Sequence, residues 1–371
     1  DVILTTYGTL KNDEEKYEKI KFDYCILDEG QNIKNPLAQS TKSVKNIKAE
    51  NKFILTGTPI ENNLIELWSI FDFIMPGYLD SVSNFKNRFV NKEDSAIELQ
   101  KYIKPFMLRR LKKDVITELP EKIEKNYYVE LTKEQKKVYA SYVKDIKEKM
   151  ENNEFSDDKI TIFSYLTKLR QLCLDPSIVL DDYDGKSGKI EEVVSMIKDN
   201  ISENHKILLF SQFTSVLKNI SKRLTENKIQ HFYLDGSTNA GKRLELVEEF
   251  NNNDETKVFL ISLKAGGTGL NLTSADIVIH FDPWWNPAVE DQATDRAHRI
   301  GQENVVQVFK LISEGTVEDK ILSLQEKKKQ LIKDVLDSDY KQDNILGSLS
   351  KEELIAVSYT HLRAHETRSN L

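Results

Sequence analysis

Asp28 and Glu29 are adjacent carboxylates that directly follow the apolar run Tyr24-Cys25-Ile26-Leu27. At the end of a buried strand, such a pair suits a magnesium ion held by Asp28 through water and an attacking water polarised by Glu29. Acidic pairs also flank strands as solvated turns, so on these residues alone the two readings stand level. Gln292, Arg296 and Arg299 supply the opposite charge. On one helix they share a face, because positions three and four apart are neighbours, and a guanidinium fork matches a phosphate. The bland alternative makes them surface partners of Glu290, Asp291 and Asp295. The glycine-rich run upstream favours the phosphate reading over it. The chemistry this implies is cleavage of a nucleotide phosphate between an acidic lobe and an arginine-bearing one.

Two further motifs fit that chemistry. In 55–62, Thr56 and Thr58 follow a second apolar run, and their hydroxyls suit a sensor of phosphate loss beside the acidic pair. The same residues also read as a strand-to-helix turn with Thr58 as the cap before Pro59. The run 264–272 carries Gly266, Gly267 and Gly269 after an apolar strand, so backbone amides there can approach an anion or a nucleic-acid backbone. By contrast, 236–243 has the glycine and lysine spacing of a phosphate loop, yet Arg243 replaces the hydroxyl that should bind magnesium. It reads as a turn opening a basic helix. His361, His365 and Glu366 imitate a metal cluster inside a tail with no structural pattern, and no structural metal is assigned.

The elements that must position these residues follow an α/β pattern. From Asp1 to about residue 75, apolar runs at 2–6, 24–27 and 53–56 alternate with helix-compatible stretches such as 39–49, as in a parallel sheet. From 76 to about 186 the strand signal nearly vanishes, and apolar residues recur at helical spacing (Val138, Tyr142, Val143, Ile146), giving a helical insert and linker. Strands return at 207–210, 231–234, 258–261, 277–281 and 305–312, so a second α/β lobe spans 187–330. A helical segment is expected over 331–357, and 358–371 reads as a non-native tail. Lys327-Lys328-Lys329 reads as a solvated face.

Composition sets the outer bounds. The chain has 371 residues, more than one ordinary core holds, and 39% are apolar, which is enough for folded domains. A formal charge of -7 argues against a uniformly basic nucleic-acid coat and leaves room for a local basic groove. Two cysteines cannot build a disulfide framework, which points to a reducing, intracellular setting. No apolar stretch approaches the roughly 20 residues of a membrane span. The first residue is Asp1 and the opening run already reads as a strand, so the chain is expected to begin inside a domain.

Taken in order, these segments resemble the Swi/Snf family of helicase-like, double-stranded-DNA-dependent ATPases within the second helicase superfamily. The matching stretches include ILDEGQNIKNP from Ile26, LTGTPIENNLIELWSIFDFIMPGYL from Leu55, LRRLKKDVITELPEK from Leu108, LKAGGTGLNLTSAD from Leu263 and FDPWWNPAVEDQATDRAHRIGQ from Phe281. The resemblance implies two RecA-like lobes, the first incomplete here, with ATP and magnesium in the cleft between them and duplex DNA across both. It makes Asp28 and Glu29 the catalytic acids and Arg296 and Arg299 the γ-phosphate arginines. Gln292, Gly267 and Gly269 lie on the nucleotide, and Thr56 and Thr58 couple the lobes. Thr6, Ser211, Gln212, Lys264, Thr268 and Trp285 fall in motifs that touch the DNA backbone or couple the lobes. A DNA-bound protein is the further partner considered, and a bacterial cytoplasm, at the nucleoid, the expected setting. Gln31 stands where many eukaryotic members have histidine, which fits a bacterial-type member. The family's phosphate-binding loop lies upstream of the matched segments, so this chain by itself is expected not to hydrolyse ATP efficiently. A strand-separating helicase and a nucleic-acid scaffold with a dead nucleotide site are the alternatives.

Overall fold

The computed structural model describes residues 1–61, 63–90, 95–110, 112–116, 118–152, 159–266 and 269–336. They form two compact units, 1–109 with 326–336, and 110–325. Within them no helix is long and apolar enough to cross a membrane. The expected tail, including His361, His365 and Glu366, and most of the 331–357 segment lie outside the described residues.

In the first unit, β1 (Lys21–Leu27) and β2 (Lys48–Ile54) pair in parallel, with Leu27 opposite Ile54. The strand expected at 2–6 does not form. Val2 and Leu4 are each 96% exposed, and the chain enters the Tyr7–Asn12 helix through Thr6, whose side chain accepts from the Thr9 amide. A strand needs a neighbour to take its backbone hydrogen bonds, and residues 2–6 pair with neither β1 nor β2; propensity alone is too weak to hold a strand. The run before Asp28 is also less buried than expected. Tyr24 and Ile26 are 62% and 61% exposed, and only Leu27 is core. The opposite side of the strand pair packs on a small cluster of Leu10, Leu27, Ile33, Val44, Ile47 and Phe73. The Leu64–Ile74 helix carries a second cluster with Phe85, Phe89, Leu99 and Ile103.

The second unit is built on a six-stranded sheet ordered β3-β8-β7-β4-β6-β5, with every recorded pairing parallel. Its strands are β3 (Lys122–Val129), β4 (Ile207–Ser211), β5 (His231–Leu234), β6 (Val258–Ser262), β7 (Ile277–His280) and β8 (Val306–Ser313). β3 comes from the stretch read as helical. Its sequence KIEKNYYV has no clean alternation, since as an edge strand it buries only Val129, so tertiary pairing with β8 decided its conformation. In the central strands successive residues feed opposite cores. Ile207 and Leu209 join the side covered by the Gly188–Ser202 and Thr214–Glu226 helices, whereas Leu208 and Phe210 join the side holding Phe250, Ala293 and Ala297. This doubly wound arrangement explains the unbroken apolar runs of β4, β6 and β7, each buried along its whole length.

Candidate functional site

β1 and β2 deliver the acidic pair and the threonine loop side by side. The Leu55 amide donates to the Leu27 carbonyl at 2.8 Å, and the Gly30 amide returns to the Leu55 carbonyl at 2.9 Å. Asp28 and Glu29 therefore leave one strand end exposed beside residues 56–58 of the next. Glu29 sits in the left-handed region (φ 50), and its amide donates to the Asp28 carboxylate at 2.9 Å. Tyr7 fixes the turn from outside by donating to the Asp28 carbonyl at 2.7 Å. Burial first, then the nearby negative groups Asp28, Cys25 and Glu29, push the Tyr7 phenol up to about 12, so it remains a donor.

A short relay joins the two loops. Gln31 donates through Nε2 to Glu29 at 2.7 Å, and its Oε1 accepts from the Thr56 hydroxyl at 2.8 Å. The Thr56 oxygen in turn accepts from the Thr58 amide at 3.0 Å. Gln31 was legible only as a family marker; its position two residues after Glu29, in the 3-10 turn Gly30–Ile33, is what aims it back at the carboxylate. Thr58 is not the helix cap. Asn63 caps the Leu64–Ile74 helix, accepting from the Ile65 amide, because Pro59 and Ile60 still belong to the loop. The Thr58 hydroxyl donates to Glu61, which Lys34 also holds. Asp28 and Glu29 are hard oxygen donors, a set that fits magnesium, since that ion takes one or two carboxylates and completes its shell with phosphate and water.

In the second unit the arginines do not share a helix. The Pro287–Thr294 helix ends before them, and tighter contacts take over, with Arg296 donating its amide to Ala293 and Ala297 to Thr294. Gly301, at φ +98, then reverses the chain. What brings Arg296 and Arg299 together is the glycine-rich run. Arg296 Nε donates to the Gly266 carbonyl at 3.0 Å, Arg299 Nη1 to the Leu270 carbonyl at 3.0 Å, and the Leu272 amide to the Arg296 carbonyl. Gln302, unnoticed in the sequence, locks the turn. It is 5% exposed, donates to Ala275 and Ala297 carbonyls, and accepts from the Glu303 and Asn304 amides. Lys112 adds a hydrogen bond to the His298 carbonyl and an ion pair with Asp295. Gln292, half-buried, remains on the helix proper.

The remaining candidates are scattered. Thr6 is exposed and caps the Tyr7–Asn12 helix; Lys264 and Gly269 are exposed on the glycine-rich run. Gly267 and Thr268 lie outside the described residues. Ser211 is 1% exposed, and its hydroxyl is committed to Asp282 at 2.6 Å, while Gln212 beside it is half-buried. Trp285 packs against the core of the Lys133–Glu151 and Lys159–Leu174 helices. Asp282 was missed although it carries the signature used for Asp28, a carboxylate that ends an apolar strand. In the run 236–243, Asn239 caps the Ala240–Asn252 helix and Arg243 donates to the Thr238 and Asp235 carbonyls, so the phosphate-loop imitation is a capped turn.

The SNF2-related domain matches residues 1–178, and the helicase conserved C-terminal domain matches 188–301. The putative ATP-dependent helicase/translocase YwqA of Bacillus subtilis is 40% identical over 95% of this chain and 39% of its own length. The TATA-binding protein-associated factor MOT1 of Saccharomyces cerevisiae is 35% identical over 96% of this chain and 22% of its own. The chain thus spans between about a fifth and two fifths of the length of such curated relatives, 34% of two mycoplasma ATP-dependent helicases among them. Among solved structures, the Sulfolobus solfataricus SWI2/SNF2 ATPase core in complex with dsDNA is 37% identical, with a TM-score of 0.52, covering 99% of this chain and 76% of that one. With the acid pair, the threonine loop, the glycine run and the arginine turn in that order on parallel-sheet units, the chain belongs to the SWI2/SNF2 family of helicase-like ATPases.

Proposed function

We propose that this chain is part of a motor that moves along double-stranded DNA by hydrolysing ATP, completed by the phosphate-binding loop its family carries upstream. The observation that carries the reading is that each unit holds one built half-site: Glu29 linked through Gln31 to Thr56 in the first, and Arg296 and Arg299 fastened to the glycine-rich run in the second. In this reading Asp28 holds magnesium, which when bound neutralises charge on the transferring phosphate. Glu29 orients the attacking water and accepts its proton. Arg296 and Arg299 stabilise the γ-phosphate, with Gln292, Gly267 and Gly269 against the nucleotide. Loss of the phosphate is felt at Thr56 and Thr58.

Thr6, Gln212, Lys264 and Thr268 meet the DNA backbone, while Ser211 and Trp285 act by holding those groups in place. Binding through phosphates is blind to sequence and weakens with salt. The duplex in the Sulfolobus complex supports DNA as the track, and bacterial relatives support a bacterial setting. A nucleoid location, with a DNA-bound protein as the load, extends the reading from that track.

The test uses the polypeptide extended to include the upstream loop. Glu29→Gln should keep ATP binding and lower duplex-stimulated turnover by about a hundredfold or more, the range of a lost general base. Undiminished turnover refutes the role given to Glu29. Release of a labelled strand by the wild-type protein would replace translocation with strand separation, and an extended protein that never hydrolyses ATP would leave a scaffold.

A further inference from the structure

Asp282 and Arg170, to which no role has been given above, meet in a buried junction beside Ser211 and Gln212. Its carboxylate accepts from the Ser211 hydroxyl at 2.6 Å and the Gln212 amide at 3.1 Å through Oδ1, and from Arg170 Nη2 at 3.0 Å through Oδ2. Arg170 comes from the Lys159–Leu174 helix, where it interrupts an apolar surface, and is 3% exposed. The same Nη2 donates to the Pro283 carbonyl at 3.0 Å. The guanidinium lies 5.1 Å from the Trp284 ring centre, 5.7 Å from that of Trp285 and 5.1 Å from that of Phe213. The chain continues from there to the arginine turn. The Trp284 amide donates to Glu290 at 2.6 Å, and Glu290 lies on the helix that carries Gln292 and leads into Arg296.

We propose that Arg170 is a positioning residue that makes the end of β4, the 282–286 loop and the Gln292 helix move as one body, so that contact with DNA at Gln212 reaches the nucleotide-facing groups. The guanidinium suits this because one nitrogen, Nη2, bonds two oxygens of the loop while the broad, flat cation lies against three aromatic rings, a contact that a compact ammonium does not reproduce. A charge buried this deeply persists only when paired, and its pairing defines one loop geometry. The coupling half of the inference rests on the motor reading; the positioning half does not.

The test is Arg170→Lys, which keeps the charge and loses the flat group that lies against the rings. Trp68 is the only other tryptophan, so in a Trp68→Phe background acrylamide quenching reports on Trp284 and Trp285 alone. The variant should raise the quenching constant about twofold, as expected when a stacked cation no longer covers the rings. In the extended protein, duplex-stimulated kcat should fall roughly tenfold to a hundredfold, as for a misplacement near 1 Å, with KM for ATP and DNA-free turnover within about twofold of wild type. Asp282→Asn keeps the acceptor for Ser211 and Gln212, and carries the same expectation should Arg170→Lys fail to melt cooperatively. Unchanged quenching, or equal loss of basal and stimulated turnover, overturns the proposal. A wild-type protein without duplex stimulation sinks the motor reading instead, and positioning is then judged by the quenching alone.

Discussion

At the residue scale, the Asp28-Glu29 turn depends on a few side chains that hold its backbone and its carboxylates. Tyr7 is the clearest. Its phenol is half-buried, donates to the Asp28 carbonyl, and is pushed up to about 12, against an ordinary value near 10. An acid whose folded value is raised favours its neutral form in the fold. Its contribution is therefore complete below about pH 10, the unfolded value, and disappears as pH rises through about 12. Ultraviolet difference titration of the wild type against Tyr7→Phe should show one phenol ionising near that upper value. The same pair should differ in stability at pH 9 and converge above pH 12; ionisation near 10 would remove Tyr7 from the site. Gln31 shows the complementary case, a neutral amide whose two ends satisfy an acceptor and a donor at once, which a charged side chain cannot do.

At the element scale, the arginine turn is held by backbone contacts that a continued helix would not provide. Once the Pro287–Thr294 helix ends, the carbonyls of Ala275 and Ala297 and the amides of Glu303 and Asn304 need partners, and the Gln302 side chain meets all four. Gln302→Leu keeps the volume and leaves the Ala275 carbonyl and the Glu303 and Asn304 amides without that partner, while the Ala297 carbonyl keeps the Arg299 amide. Given roughly 1–3 kcal/mol for each buried polar group left unpaired, and partial recovery of water by the exposed turn, the variant should lose about 2–3 kcal/mol. Urea unfolding followed by circular dichroism measures it, and a loss within error of zero would mean that the turn is held elsewhere. The threonine loop follows the same logic in miniature, since Asn63 rather than Thr58 takes the cap and leaves Thr58 able to bond Glu61.

At the scale of the whole molecule, the second unit is fastened around a buried ion pair. Lys189, at the start of the Gly188–Ser202 helix, and Glu318, at the start of the Val317–Leu336 helix, are both 0% exposed and 2.6 Å apart. Lys189 also donates to the Phe281 and Leu311 carbonyls, so its three protons join two helices to β8 and to the residue after β7. Burial drives the Glu318 carboxyl upward, and Lys189 opposes that shift. Removing one partner leaves a lone buried charge, so Lys189→Met should cost about 3–5 kcal/mol, whereas Lys189→Met with Glu318→Leu should recover most of that loss. Chemical denaturation of the two variants decides it; equal losses would show that packing, not charge, is at stake. Because Phe281, whose carbonyl Lys189 bonds, directly precedes Asp282, the ion pair adjoins the Asp282 junction.

The sequence by itself determined the order of motifs, the strands β4 to β8 and the family, because apolar runs, glycine positions and charged pairs are local signals that survive any packing. It located Asp28, Glu29, Arg296 and Arg299 without showing what holds them. Tertiary structure alone decided that residues 2–6 stay unpaired, that 122–129 becomes an edge strand, and that the arginines hang on the glycine run instead of a helix face. It also supplied Arg170, whose partner Asp282 lies 112 positions along the chain. The reason is physical: a strand or a buried charge is stable only with its partner, and sheet topology chooses partners that no local period can name.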